Sequence, residues 1–76
     1  MAAVSRALTP AERLVASMVA EGLTNLEIAR ELGVSARTVQ AHVSHALAKL
    51  EISTRTALAR VISREERAAS SNANDG

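Results

Sequence analysis

Two groupings of side chains in this chain of 76 residues have types and spacings that could do chemistry. His42 and His45 stand three residues apart, which on a helix places their imidazoles on adjacent faces, where they could begin a metal site. No third ligand is evident at a fitting distance: there is no cysteine, and the one aspartate, Asp75, lies at the far end of the chain. With no Gly-rich phosphate loop either, no metal, cofactor or catalytic residue is expected, and the chain is not read as an enzyme. The second grouping is Arg37, Ala41, Ser44 and Ala48, flanked by Gln40 and His45. It joins hydrogen-bonding groups to small side chains and holds no acid before Glu51. Such a strip lets a flat surface approach a helix backbone and sets no like charge against phosphate. Alanine's helix propensity could fill an exposed face equally well, so the elements that position the strip decide between the two readings.

Those elements are marked by their caps. Thr9-Pro10-Ala11-Glu12 supplies an N-cap hydroxyl, a proline in the first turn and a glutamate that closes a capping box, opening a helix over about residues 10 to 21. Leu14, Val15, Met18 and Val19 recur along it at helical spacing, and Gly22 stands where a left-handed residue would end it. Thr24-Asn25-Leu26-Glu27 repeats the box for a helix of about two turns, with Ile28 and Leu32 facing inward. Gly33, Val34 and Ser35 then supply a residue free to take positive φ, an apolar plug for the corner and the next cap. Two helices separated by three residues must turn sharply, and Ala29 is small where their axes would approach most closely. On the third helix, about residues 36 to 50, Val39, Val43, Ala46, Leu47 and Leu50 form a core seam, and the strip of the first paragraph lies opposite. Ser53-Thr54-Arg55 opens a fourth helix with an apolar stripe of Ala57, Leu58, Val61 and Ile62, ending near Arg64 or Glu66. The fold class is all-α, a four-helix domain with a central helix-turn-helix over residues 8–66. Residues 1–7 are expected to be flexible, and residues 67–76, with nothing to bury, to be a disordered tail.

Composition removes several functions. The chain has no Phe, Tyr or Trp, and so lacks the stacking platforms of single-strand and RNA-binding modules. No run is apolar enough for a signal peptide or a membrane span, so a cytoplasmic location without membrane contact is expected. The net charge of +1 is unevenly spread. Residues 35 to 60 hold Arg37, Lys49, Arg55 and Arg60 against Glu51 alone, while the segments before and after are slightly acidic. A rod with a lean, acid-free outer face, presented by a tight corner within the basic part of the chain, can enter a DNA groove.

With these pieces in order, LTPAER, EGLTNLEIA, LGVSARTVQAHV and LAKL followed by STRT, residues 8 to 62 resemble the DNA-binding domain of LuxR-type (GerE/NarL-like) bacterial transcription regulators. The resemblance implies a third helix lying in the major groove of double-stranded DNA. It also implies a homodimer formed through the fourth helix, with Leu58, Val61 and Ile62 as its interface, and RNA polymerase as a further partner. The family's base-reading positions fall on Gln40, Ala41 and Ser44, with Arg37 and His45 beside them. Gln can pair with adenine N6 and N7, Ala can touch a thymine methyl, and Ser suits several base edges. Phosphate contact falls to Thr24 and Asn25 at the N-terminus of helix two, and to Thr38, Lys49 and Arg55.

The chain departs from that pattern at several positions. Leu26, Gln40 and Ala48 stand where many relatives carry Lys or Arg, and Glu51 stands where Gly is common. Fewer phosphates can then be neutralised, and dimerisation matters more. A left-handed Glu51 would cost about 1 kcal/mol. Two other readings are weighed against this one: a promoter-recognition domain like those of sigma factors, which lacks the STRTALARVI helix, and a helical protein-interaction module, whose binding would be insensitive to salt.

Overall fold

The computed structural model describes the backbone of residues 7–75 and the side chains of residues 7–69. The expected flexible segment, apart from Ala7, lies outside the described residues. Four helices follow one another: α1 (Pro10–Ala20), α2 (Asn25–Leu32), α3 (Ala36–Leu50) and α4 (Arg55–Asp75). The fold is all-α, as the capping pattern predicts.

Each start is set by a side chain satisfying backbone donors that a helix leaves unpaired. Thr9 and Thr24 both close reciprocal capping boxes, with Glu12 and Glu27 respectively. Ser35 Oγ accepts from the Thr38 amide at 3.1 Å, and Thr54 Oγ1 from the Ala57 amide at 3.1 Å, so Thr54 caps α4. The ends are set by residues that reverse the backbone's hand. Gly22 has φ +93° and Gly33 φ +68°. After each, the next amide reaches back across the turn, Leu23 to the Met18 carbonyl at 3.2 Å and Val34 to the Ala29 carbonyl at 3.0 Å.

The core is built from small aliphatic side chains. α1 packs against α4 and α3, and α2 lies against α3. Val15, Ala16 and Val19 of α1 meet Ile28 and Ala29 of α2, Val39, Val43 and Ala46 of α3, and Leu58 and Ile62 of α4, all buried. Leu47 and Leu50 are half-buried at the rim. The third-helix seam therefore lies inward as its periodicity predicts, and Ala29 occupies the close approach beside the corner.

Four expectations change. Leu14 is 49% exposed: it lies one position round the helix from Val15 and lines a shallow depression with Leu8, Pro10, Arg13 and Ser17. Val34 is 42% exposed, because backbone bonding at Gly33 closes the corner without a side-chain plug. Leu58 and Ile62 are fully enclosed by their own chain, so of the three residues expected at a dimer interface only Val61 retains partial exposure. Finally, α4 continues to Asp75 and does not stop near Arg64. No Gly or Pro interrupts residues 63–75, and once a docked helix is nucleated each further residue adds a hydrogen bond without a new nucleation cost. Ser17 Oγ also donates to Glu66 Oε2, fastening the continued part to α1.

At the end of α3, Glu51 takes φ 56°, ψ 43° and is the one non-glycine residue of positive φ among those described. Ile52 then bonds back to the Leu47 carbonyl at 3.0 Å. A side chain in that region costs about 1–2 kcal/mol, partly offset by the greater unfolded-state freedom of glycine. Glu51→Gly is therefore expected to stabilise the chain by about 0.5–1 kcal/mol, raising the thermal midpoint by a few degrees at about 4–8 °C per kcal/mol. An unchanged or lowered midpoint in a circular-dichroism melt would mean that the turn holds no strain.

Candidate functional site

The corner between α2 and α3 decides what α3 shows to solvent. With Val39, Val43 and Ala46 fixed inward, Arg37, Gln40, Ala41, Ser44 and Ala48 are all exposed. The five form a continuous strip on the side away from the core, and no carboxylate stands among them. Arg37 has no ion-pair partner among the described residues, so its guanidinium faces solvent with its donors available. The strip can approach a surface closely and offer it hydrogen bonds from Arg37, Gln40 and Ser44.

The residues expected to flank the strip behave differently. Lys49 Nζ donates to Glu12 Oε1 at 2.7 Å. His45 is exposed, but its Nδ1 lies 3.6 Å from Glu12 Oε2, on the flank that leans toward α1. Arg55 Nη1 donates to Asn25 Oδ1 at 2.7 Å and its Nη2 to the Leu23 carbonyl at 2.8 Å, tying the start of α4 to the loop before α2. Asn25 in turn donates from Nδ2 to Gln40 Oε1 at 3.4 Å. Two of the cations expected at phosphates are thus engaged within the chain.

The helix N-termini are also partly occupied. Thr24 Oγ1 accepts from the Glu27 amide at 3.1 Å, and Glu27 Oε1 accepts from the Thr24 amide at 2.8 Å. The amides of Asn25 and Leu26 remain to face an anion there. Thr38 shares its hydroxyl with Ser35 Oγ at 3.0 Å. Leu26, next along α2, is 55% exposed.

Glu12 is the residue whose role sequence reading captures least. Its capping duty is visible in the T-x-x-E pattern, and the structure contains it: Thr9 N donates to Glu12 Oε1 at 3.0 Å and Glu12 N to Thr9 Oγ1 at 3.1 Å. Its burial and its bond to Lys49, 37 residues away, follow from how α1 and α3 pack and leave no local pattern. The lysine ammonium, followed by the Thr9 amide, lowers the Glu12 carboxyl from 4.5 to about 2. His42 is half-buried, with a buried Nδ1 that has no hydrogen-bond partner. The described residues bring no three His, Cys, Asp or Glu side chains together as a metal site. None of their helices is long and apolar enough to cross a membrane.

Comparison with known proteins matches residues 6–62 to the family described as bacterial regulatory proteins, luxR family (GerE). Over 51 residues the chain is 53% identical to a Mycobacterium bovis protein named as an HTH-type transcriptional regulator, covering 67% of this chain and 6% of that protein. It is 43% identical over 56 residues to the two-component response regulator PprB of Pseudomonas aeruginosa, covering 74% of this chain and 20% of PprB. Against the nitrate/nitrite response regulator protein NarL of Escherichia coli the identity is 44% over 48 residues, covering 63% and 22%. The chain therefore spans only a small fraction of the length of these relatives, between 6% and 22%.

The depressed Glu12 carboxyl makes a signed prediction for pH. A carboxylate held below its unfolded value contributes stability above that value, and the contribution is lost as pH falls through the folded one. The Glu12 contribution is therefore complete above about 4.5 and gone near 2. Thermal melts of the parent and of Glu12→Gln should differ most at neutral pH and converge as pH falls across that window. A difference independent of pH would show that Glu12 acts through packing alone.

Proposed function

The chain belongs to the luxR family of bacterial regulatory proteins, and from that premise we propose that it binds double-stranded DNA sequence-specifically, with α3 in the major groove. The observation that carries the reading is the acid-free strip of Arg37, Gln40, Ala41, Ser44 and Ala48, exposed on a helix held out by the Gly33 corner. A helix presented this way fits the width of the groove, and its side chains suit base edges. Gln40, Ala41 and Ser44 read bases, and Arg37 reaches base or phosphate. His45 is secondary, since its ring leans toward Glu12. Thr38 and the free amides of Thr24-capped α2 position the backbone of the duplex.

The cations already engaged within the chain change the electrostatics of the complex. Lys49 would have to leave Glu12, and Arg55 would have to leave Asn25, to reach a phosphate. With those two spent internally, about two to three phosphate contacts per subunit remain. For a dimer the slope of log K against log salt is then about −4 to −5. Weak neutralisation by one subunit favours a homodimer on a two-fold site. Its contact on α4 centres on the half-buried Val61 and Ala57, one turn apart on the helix, and leaves out the enclosed Leu58 and Ile62. RNA polymerase as a further partner, and a place in the bacterial cytoplasm, go with this reading.

Selection of duplexes from a random pool, followed by titration at several salt concentrations, tests the proposal directly. Gln40→Ala should lose preference at one or two base positions and weaken the best duplex by about 1–3 kcal/mol. Arg37→Ala should flatten the salt slope by about two units, one for each subunit of the dimer. Lys49→Ala should flatten it by less than that, because its charge is already answered by Glu12. Failure to enrich any duplex at low salt, or a flat salt response, would remove the DNA-binding reading.

A further inference from the structure

The hydrogen bonds that cross from α4 through α2 to α3 carry directional information. Arg55 is a donor at every nitrogen and accepts nothing, so the atom of Asn25 that faces its Nη1 at 2.7 Å must be the carbonyl oxygen. The second guanidinium nitrogen, held on the Leu23 carbonyl at 2.8 Å, keeps the arginine from turning away. The amide orientation of Asn25 is thereby fixed, and its Nδ2 faces Gln40. Only the oxygen of the Gln40 amide can receive that donor, and the two meet at 3.4 Å. Gln40 is exposed and keeps its Nε2, with two hydrogens, as the amide atom not bonded to Asn25.

We propose that Asn25, oriented by Arg55, is a specificity-determining residue that turns the Gln40 amide so that it reads guanine. The inference rests on α3 reading duplex DNA. A glutamine free to choose its orientation matches adenine, offering its oxygen to N6 and its nitrogen to N7. A glutamine whose oxygen is already bonded on the protein side presents two N–H groups, and the base edge with two adjacent acceptors is the N7 and O6 of guanine. Asn25 is then a positioning residue that acts through Gln40 and sits one helix away from the base. A phosphate contact, the role the family pattern implies for it, would leave base preference untouched.

Asn25→Asp separates these roles, because it keeps the size of the side chain and its pairing with Arg55 but removes the donor. The aspartate can only accept, so Gln40 must turn its Nε2 inward and its oxygen outward. The outward oxygen suits the amino groups of adenine or cytosine. Duplex selection would be run on the parent chain, Asn25→Asp and Gln40→Ala, the last identifying which base position Gln40 reads. At that position the parent is expected to favour guanine over adenine by about tenfold or more, within the range of a bidentate contact, and Asn25→Asp to invert the preference. An added carboxylate lowers affinity for every duplex, so base preference is the readout. The same base selected by the parent and by Asn25→Asp would overturn the relay while leaving DNA binding intact. So would a parent that favours adenine there. No duplex enriched by the parent would overturn the DNA-binding reading and the relay with it. A measurement without DNA gives a separate check: nuclear relaxation of the Gln40 side-chain amide should show it ordered in the parent and loosened in Asn25→Ala. Equal mobility in the two would also overturn the relay.

Discussion

Glu12 is enclosed at the first turn of α1, and keeping its charge there places demands on two other parts of the chain. Thr9 supplies an amide from the turn before the helix, and Lys49 supplies an ammonium from the last turn of α3. An enclosed carboxylate without such partners would be strongly destabilising. Bringing Lys49 to it fixes one flank of α3 against α1, with His45 drawn to the same flank one turn earlier. Together with the inward Val39, Val43 and Ala46, that flank sets the rotation of α3 about its own axis. The strip from Arg37 to Ala48 points outward because the other sides of the helix are already committed.

The absence of aromatic side chains and cysteines shapes how this is done. The largest fully buried side chains are Ile28, Leu58, Ile62, Val15 and Val39, so no single residue dominates the core and each helix must lie close to its neighbours. Small residues at Ala16, Ala29 and Ala46 permit that approach. A close-packed interior of this kind is sensitive to the removal of even one methylene. It also explains why Leu58 and Ile62 serve the interior of the chain: without them α4 would have no large side chain fully buried in the core.

Much of this was legible in the sequence because caps and periodicity are local. The T-x-x-E boxes at Thr9 and Thr24, the glycines at 22 and 33 and the seam of α3 each depend on neighbours within four or five residues, and each appears in the structure. The outer strip followed from the same wheel. What could not be read was which polar side chains meet across helices. The bonds of Lys49 to Glu12 and of Arg55 to Asn25 join residues 37 and 30 positions apart, and nothing in the spacing of either pair signals them. The apolar stripe of α4 was legible as a stripe, yet its periodicity is the same whether it faces its own core or another subunit. The length of α4 leaves no such signal, because a segment growing from an anchored helix needs no apolar surface of its own.

The left-handed residue at the end of α3 gives the rod a polarity. Its first turn carries Arg37 and the positive end of the helix dipole, whereas its last turn carries the negative end of that dipole and the Glu51 carboxylate. Lys49, the cation nearest that end, is answered by Glu12. A polyanion approaching α3 therefore meets an attractive tip and a repellent heel. On the proposal that α3 enters DNA, the electrostatically favoured approach is tilted, with the N-terminal end of α3 deepest and the Glu51 end raised away from the nearest phosphates.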